Sequence, residues 1–289
     1  MMLPRVRVIS YTEDGDRLVA ISSKRSLSSK DIEEIDSKMS DEEVDIWIRE
    51  TLKRGHLSPW EHSVYTFEIV CSRVCSHQLV RHRIASYTQL SQRYNDKLLQ
   101  PEDPGYWRDL AERLLNRSYK DLEKISDIFF IDPDWDLDTK YFTAYQYAKA
   151  VESYWDLRRR GLEREEARYI LPQAIATKIV VTMNAREILH FLGLRMCTHA
   201  QKEIRLVAWM LRDELIKIHP RLFRYAGPYC LLDNNLHTKN VQTLEEFISE
   251  ESIISIDRCR EMIPREGIRS CVKYSLNEYI RFREISRNR

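Results

Sequence analysis

The sequence of 289 residues predicts a mixed α/β chain. Two observations carry that expectation. Three short segments read as strands, at 5–11, 64–70 and 177–183. The first alternates and the third is β-branched. The second puts Tyr65, Phe67 and Ile69 on one face and Val64, Thr66 and Glu68 on the other. Between and after them run segments with apolar residues at helical spacing. The length suits one large domain or two smaller ones, with a sizeable core.

Each element follows from local chemistry. Asp14, Gly15 and Asp16 read as a turn. Ser29 suits the N-cap of a helix through 30–39. The 41–55 helix has acids in its first turn, Lys53 and Arg54 in its last, and Gly55 to end it. Val44, Trp47, Ile48 and Leu52 form its apolar stripe. A helix through 72–83 presents Cys71, Val74, Cys75 and Leu79 at helical spacing, with Gln78, Arg81 and His82 on an adjacent stripe. A polar loop follows to Tyr94. Helical periodicity resumes over 106–130, between a breaker at 101–104 and an acidic, turn-rich patch at 131–138. Further helices are expected at 141–161 and at 164–171, the latter stopped by Pro172. Asn184 can cap the helix over 185–195. Thr198 and Gln201 fit a capping box for the next, which buries Ile204, Val207, Ala208, Leu211 and Leu215. After about residue 226 the chain is turn-rich, then carries two or three short helices to a basic end.

Composition narrows function. Lys+Arg 46 against Asp+Glu 45 leaves a net charge of +1, which argues against a wholesale nucleic-acid binder and leaves room for a local basic pocket. The N-terminus lacks a long apolar run and no stretch approaches a membrane span, so no secretion or membrane role is expected and the chain reads as cytoplasmic. The six cysteines form no CxxC pair and read as buried free thiols; a hyperthermophilic source would also permit a disulfide. There is no GxGxxG, Walker A or GxSxG.

Three constellations could carry chemistry. The densest is RHRIASYTQLSQRY, with Arg81, His82, Arg83, Gln89, Ser91 and Arg93. Guanidinium groups suit phosphates, and glutamine amides can read a base edge, so a nucleotide pocket is one reading. The other is a surface loop whose arginines pair with acids on neighbouring helices. A second constellation is Arg168, Asn184, Arg186, His190, Arg195 and His199. Asn184 and Arg186 open a helix, where free N–H groups favour an anion. Taken singly, each residue reads more readily as a cap or ion-pair partner than as a ligand contact. The third is GHLSPWEH at 55–62. His56, Glu61 and His62 lack HExxH spacing and a fourth ligand, so no metal is predicted.

Arg81-His82-Arg83, seven residues and then Ser91 resemble the signature of the flavin-dependent thymidylate synthases. GHLSPWEH, EEARYILP, VTMNAREILHFLGLR and THAQKEIR resemble further segments of that family in the same order, so the match covers 40–95 and 160–220. The resemblance implies an α/β (α+β) fold, with long helices packed around a central, mainly antiparallel sheet. It implies a catalytic domain over 1–225 with a longer helical insertion at about 96–145, then a helical extension over 226–289. It implies a homotetramer with active sites between subunits. The activity implied is methylation of dUMP to dTMP, with methylenetetrahydrofolate as carbon donor, FAD as hydride mediator and NADPH as reductant.

Residue by residue, Ser58, Arg81, His82, Arg83, Gln89, Asn184, Ala185, Arg186 and His190 match flavin-contacting positions. Gln78, Leu79, Val80, Arg81, Gln89, Leu90, Ser91, Gln92, Arg93, Arg168 and Arg195 match dUMP-contacting positions. His56 and His199 match further positions near the folate or flavin. Gln89 stands where some members carry Glu, and His190 where others carry Asn. Arg195 is expected to stabilise negative charge on the pyrimidine, and Ser91 to position the nucleotide rather than attack it. Two other readings compete: a flavin-dependent methyltransferase for another pyrimidine, and a non-enzymatic nucleotide or RNA binder. The neutral charge disfavours the second.

Overall fold

The computed structural model describes residues 3–236, 240–249 and 258–287. In chain order its elements are β1 (Arg5–Tyr11), α1 (Gly15–Arg25), α2 (Ile32–Ser37), α3 (Asp41–Arg54), β2 (Val64–Ser72), α4 (Arg73–Leu79) and β3 (Ala85–Gln89). Then come α5 (Tyr106–Leu115), α6 (Tyr119–Ile128), α7 (Leu137–Arg159), α8 (Arg164–Ala167), β4 (Ala176–Asn184), α9 (Ala185–Arg195) and α10 (Lys202–Ile218). The last are α11 (Pro220–Phe223), α12 (Tyr229–Asn235), α13 (Leu244–Ile248) and α14 (Arg265–Arg287). The four strands form one sheet in the order β1-β2-β4-β3, and every neighbouring pair is antiparallel. The expected α/β fold with a mainly antiparallel sheet is therefore present. None of the described helices is long and apolar enough to cross a membrane.

The three expected strands form, and β3 is an addition. It lies inside the stretch read as a loop. Its residues alternate weakly, with Ala85, Tyr87 and Gln89 half-buried and Ser86 and Thr88 exposed. A sheet edge tolerates this polar composition, because only one side of the strand is paired and neither face is fully covered. Tyr87 stands opposite Val181, as does Phe67 from the other side.

Other boundaries shift for local reasons. The turn at 14–16 is the entry to α1: Asp14 is left-handed (φ 47°), and Gly15 donates its N–H to His219 Nε2 at 3.0 Å. Asp31, not Ser29, precedes α2. Ser40 and Glu43 close a capping box on α3, and Gly55 ends it at φ 68°. The 72–83 helix stops at Leu79, so Arg81 and His82 lie beyond it. The 106–130 segment breaks at Arg117 (φ 59°), after which Ser118 caps α6. Asp136 caps α7 inside the acidic patch read as turns. Gln201, not Thr198, caps α10 by accepting the Ile204 N–H. The tail's last helix is long, at 23 residues.

The main core lies on one face of the sheet. Tyr65, Phe67, Ile69, Val181 and Met183 pack there against Val19, Ile48, Ile188, Leu192, Val207 and Leu211. Leu231, Phe247, Val272, Tyr279 and Phe282 of the tail join the same core. A second core holds α5, α6 and α7 together through Leu110, Leu114, Ile125, Ala148 and Val151. Leu3, Val70, Phe130 and Ala176 form a small third cluster.

The tail also sits directly on α9. A Cβ built on Gly193 would lie 2.9 Å from two ring atoms of Tyr229. Gly193→Ala should therefore lower unfolding stability by about 1–3 kcal/mol in urea titrations, as overpacking does; an unchanged midpoint would contradict the tail's docking on this helix.

Candidate functional site

The site is built outward from the short helix α4. Ser72 caps it by accepting the Cys75 N–H at 3.1 Å. Glu203 of α10 reaches across and accepts the Ser72 N–H at 2.6 Å, and its second carboxylate oxygen meets the Ser72 hydroxyl. Glu203 is buried, and burial pushes its carboxyl up to about 7 although both Ser72 donors pull it down. At the other end of α4 the Tyr87 hydroxyl bridges the carbonyls of Leu79 (2.9 Å) and His82 (2.8 Å). A strand residue thus holds the turn that follows the helix.

Arg195, the last residue of α9, closes the arrangement. Its Nε donates to His82 Nε2 at 3.1 Å and its Nη2 to the Gln78 carbonyl at 3.4 Å. A donated hydrogen bond at Nε2 assigns the ring proton of neutral His82 to Nδ1. That nitrogen faces Glu187 Oε1 at 3.5 Å. The His82 ring packs edge-on to Phe191 at 4.9 Å and to His190 at 5.5 Å. His190 Nδ1 lies 2.5 Å from the Tyr229 hydroxyl, and Arg260 stacks 3.5 Å over the Tyr229 ring. Burial lowers the pKa of His190, against the pull of Glu187. Burial also lowers that of Arg195. His82, Glu187 and His190 offer ligand atoms within 4.8 Å of one another. A cation there would face the charges of Arg195 and Arg260, so the group reads as a polar relay.

Two cavities hold further expected residues, the first of them bordering this relay. One of about 410 Å³ is lined by Asn184, Arg186, Glu187 and His190, with Ile84 and the tail's Tyr229. Within it, Asn184 caps α9 by accepting the Glu187 N–H at 2.9 Å, and Arg186 pairs with Glu61 at 2.5 Å. Ala185 is buried. The other cavity, about 510 Å³, holds His56 and Ser58 with Trp47, Leu27, Ser22 and Ser26. The serine-rich end of α1 carried no expectation; its signal was a helix that sequence periodicity alone did not reveal.

A third group is cationic. Arg93 Nε pairs with Glu165 at 2.7 Å, and Arg168 Nε donates to the Glu165 carbonyl at 3.2 Å. Arg73, which the sequence did not single out, is half-buried; desolvation and the charge of Arg168 both lower its pKa. Ser91 Oγ accepts the Arg93 N–H at 3.2 Å, and Gln92 is half-buried beside it.

The structure thus brings Gln78, His82, His190 and Arg195 together and gathers Ser91, Arg93 and Arg168 nearby in a separate cluster. Arg81, Arg83 and Val80 are exposed, while Leu79 is wholly buried and offers a ligand its backbone only. Gln89 uses its amide nitrogen within the protein, donating to Ser76 Oγ (2.9 Å) and Thr177 Oγ1 (3.1 Å). Leu90 extends the strand by donating its N–H to the Lys178 carbonyl. His199 lies against Glu261 at 3.4 Å, away from the cavity that holds His56. Glu187, Tyr87 and Tyr229 were not anticipated. Their roles depend on contacts between elements remote in sequence. All six cysteines are free, three of them buried.

Residues 7–221 match the family model described as thymidylate synthase complementing protein. The chain is 41% identical over 273 residues to the flavin-dependent thymidylate synthase of Sulfolobus acidocaldarius, covering 93% of this chain and 94% of that one. It is 40% identical over 302 residues to that of Aeropyrum pernix, covering 93% and 92%. Its fold is similar to the flavin-dependent thymidylate synthase of Helicobacter pylori complexed with FAD and dUMP, with a TM-score of 0.59, 25% identity, and coverage of 77% of this chain and 99% of that one.

The Glu203 tie has a consequence for stability. The native carboxyl titrates near 7 rather than 4.5, so between those values the folded chain binds more protons than the unfolded one. Stability from this group falls as pH rises through that window and then levels off. In Glu203→Gln the fall is absent, so the variant should gain on the wild type between about pH 5 and about pH 8 in urea unfolding. Parallel pH profiles would exclude a proton on native Glu203.

Proposed function

The chain belongs to the flavin-dependent thymidylate synthase family, and on that premise we propose that it methylates dUMP to dTMP, with methylenetetrahydrofolate as carbon donor and NADPH as reductant. The observation that supports this best is Arg195, a half-buried cation held by two acceptors of one helix end beside a basic turn. FAD fits the residues present. Arg81, Arg83 and Arg186 offer guanidinium donors for a diphosphate, and Ile84 and Leu189 give an apolar wall. Ser58, His82, Asn184, Ala185 and His190 complete the set that would hold it, with Gln89 contributing through its amide oxygen. Bound FAD supplies hydride transfer.

The chain's own residues do the rest. Methylation at C5 of the uracil needs electron density pushed to that carbon. Arg195 stabilises negative charge on the ring oxygens, and it is held in place before substrate arrives, so little reorganisation is needed. His82 and Glu187 keep the guanidinium oriented. Arg73, Arg93 and Arg168 hold the phosphate, with Ser91 and Gln92 in the turn between them and Gln78, Val80 and Leu90 framing the base. Ser91 Oγ takes a backbone N–H, a turn-forming contact unlike the contact to a base that a nucleophilic serine requires. His56 and His199 border the folate or the flavin. The flavin residues fall in two separate cavities and an exposed turn, which fits a homotetramer whose subunits complete each other's sites.

Product formation tests this directly. With dUMP, methylenetetrahydrofolate and NADPH, the purified protein should make dTMP, and other pyrimidine nucleotides should serve poorly; preference for another pyrimidine would redirect the assignment. Arg195→Ala should still bind dUMP but lose turnover by about 10²–10³-fold. Near-wild-type turnover would refute its role. Ser91→Ala should weaken dUMP binding yet retain measurable product, and complete loss of turnover with intact binding would make Ser91 the nucleophile.

A further inference from the structure

Four of the six cysteines converge on one small cavity. Cys197 comes from the turn between α9 and α10, Cys230 from α12, Cys259 from the segment before α14, and Cys271 from α14 itself. The rest of the wall is almost wholly apolar, with Met196, Ile268 and Val272 among it. One of the four sulfurs also has a hydrogen-bond partner among the described residues. Cys271 Sγ lies 3.0 Å from the Thr198 hydroxyl. Donors aimed at sulfur stabilise thiolates, and they are a regular feature around metal-bound cysteines.

We propose that Cys197, Cys230, Cys259 and Cys271 ligate an iron–sulfur cluster. A wide centre suits the spacing better than a single ion. Zinc–sulfur bonds of about 2.3 Å in a tetrahedron bring all four sulfurs within about 4 Å of one another. Among the described residues no three of these sulfurs lie within 4.8 Å of one another. A cubane cluster holds its four cysteines farther apart, in an apolar pocket, with hydrogen bonds to the sulfurs. Ligation displaces four thiol protons. Glu261 faces Cys197 and opposes a thiolate there, but it is paired with His199 at 3.4 Å.

The cluster would staple the tail to the catalytic part of the chain. Cys230, Cys259 and Cys271 all lie beyond residue 221, where the family match ends. Cys197 follows Arg195 by two residues. Ser275 of α14 already donates to the Met196 carbonyl at 2.8 Å. A metal centre would reinforce that contact and brace the end of the helix that carries Arg195. The inference does not depend on the proposed activity.

The test is chemical. The full chain is purified without oxygen, treated with ferric iron and sulfide in the presence of a thiol reductant that converts half of the iron to ferrous, desalted, and analysed for iron, acid-labile sulfide and zinc. About four iron and four sulfide per chain are expected, with an electron paramagnetic resonance signal on reduction. Cys259→Ser and Cys271→Ser should each remove most of the iron, while Cys71→Ala should keep it. Zinc without sulfide, or four thiols that stay free or join as disulfides, would overturn the cluster. So would iron that survives both serine substitutions. The wild-type analysis decides the matter even where a variant does not fold.

Discussion

The site depends on the guanidinium of Arg195, which joins the ends of two helices. One fork of donors reaches the Gln78 carbonyl on α4 and His82 Nε2 just beyond it. Hydrogen bonds to a charged group contribute about 1.5–3 kcal/mol each when well made. Removing one partner of such a buried arrangement leaves a charge or an acceptor without compensation. The relay also sets a protonation pattern. With Nε2 occupied, His82 turns its Nδ1 proton toward Glu187, and His190 and Tyr229 extend the chain toward Arg260. One cation therefore orders residues contributed by α4, α9, α12 and the segment before α14.

Rigid supports surround that relay. Glu203 secures the first turn of α4, and Tyr87 secures the turn after its last. The tail packs behind α9 and α10. Trp209 donates to Ser275 at 2.9 Å, Arg205 pairs with Glu278 at 2.6 Å, and Tyr279 donates to Asp213 at 2.6 Å. Arg205 and Glu278 are both nearly buried, so their pairing specifies where α14 lies more than it adds net stability. Side chains that would contact substrate are thus placed by neighbours whose rotamers are already fixed by packing. Preorganisation of this kind is what electrostatic catalysis requires.

Much of this was legible in the sequence where the governing physics is local. The α3 helix showed its acids, its basic end and its glycine stop. The β2 strand showed its alternation, and Asn184 showed itself as a cap. Elements decided by tertiary contact were not legible. Strand β3 is polar because it lies at a sheet edge, so alternation alone did not mark it. Helix α1 opens at a left-handed Asp14 held by Gly15 on His219, a partner 204 residues away. Arg195, His82 and His190 carried recognisable residue types, but Glu187, Tyr229 and Arg73 acquire meaning only through neighbours that folding supplies. Gln89 looked like a ligand contact, and its amide nitrogen is spent on Ser76 and Thr177.

If Arg195 and His82 link a flavin site to a nucleotide site, occupancy of one must be felt at the other. The most direct measurement is the visible absorbance spectrum of the purified protein or its FAD-reconstituted form, recorded before and after adding dUMP. Bound-flavin bands that shift on dUMP addition, and that no longer shift in Arg195→Ala, are the predicted result. A protein that cannot be loaded with FAD, or flavin bands indifferent to saturating dUMP, would contradict a shared site and leave only anion binding at the basic turn.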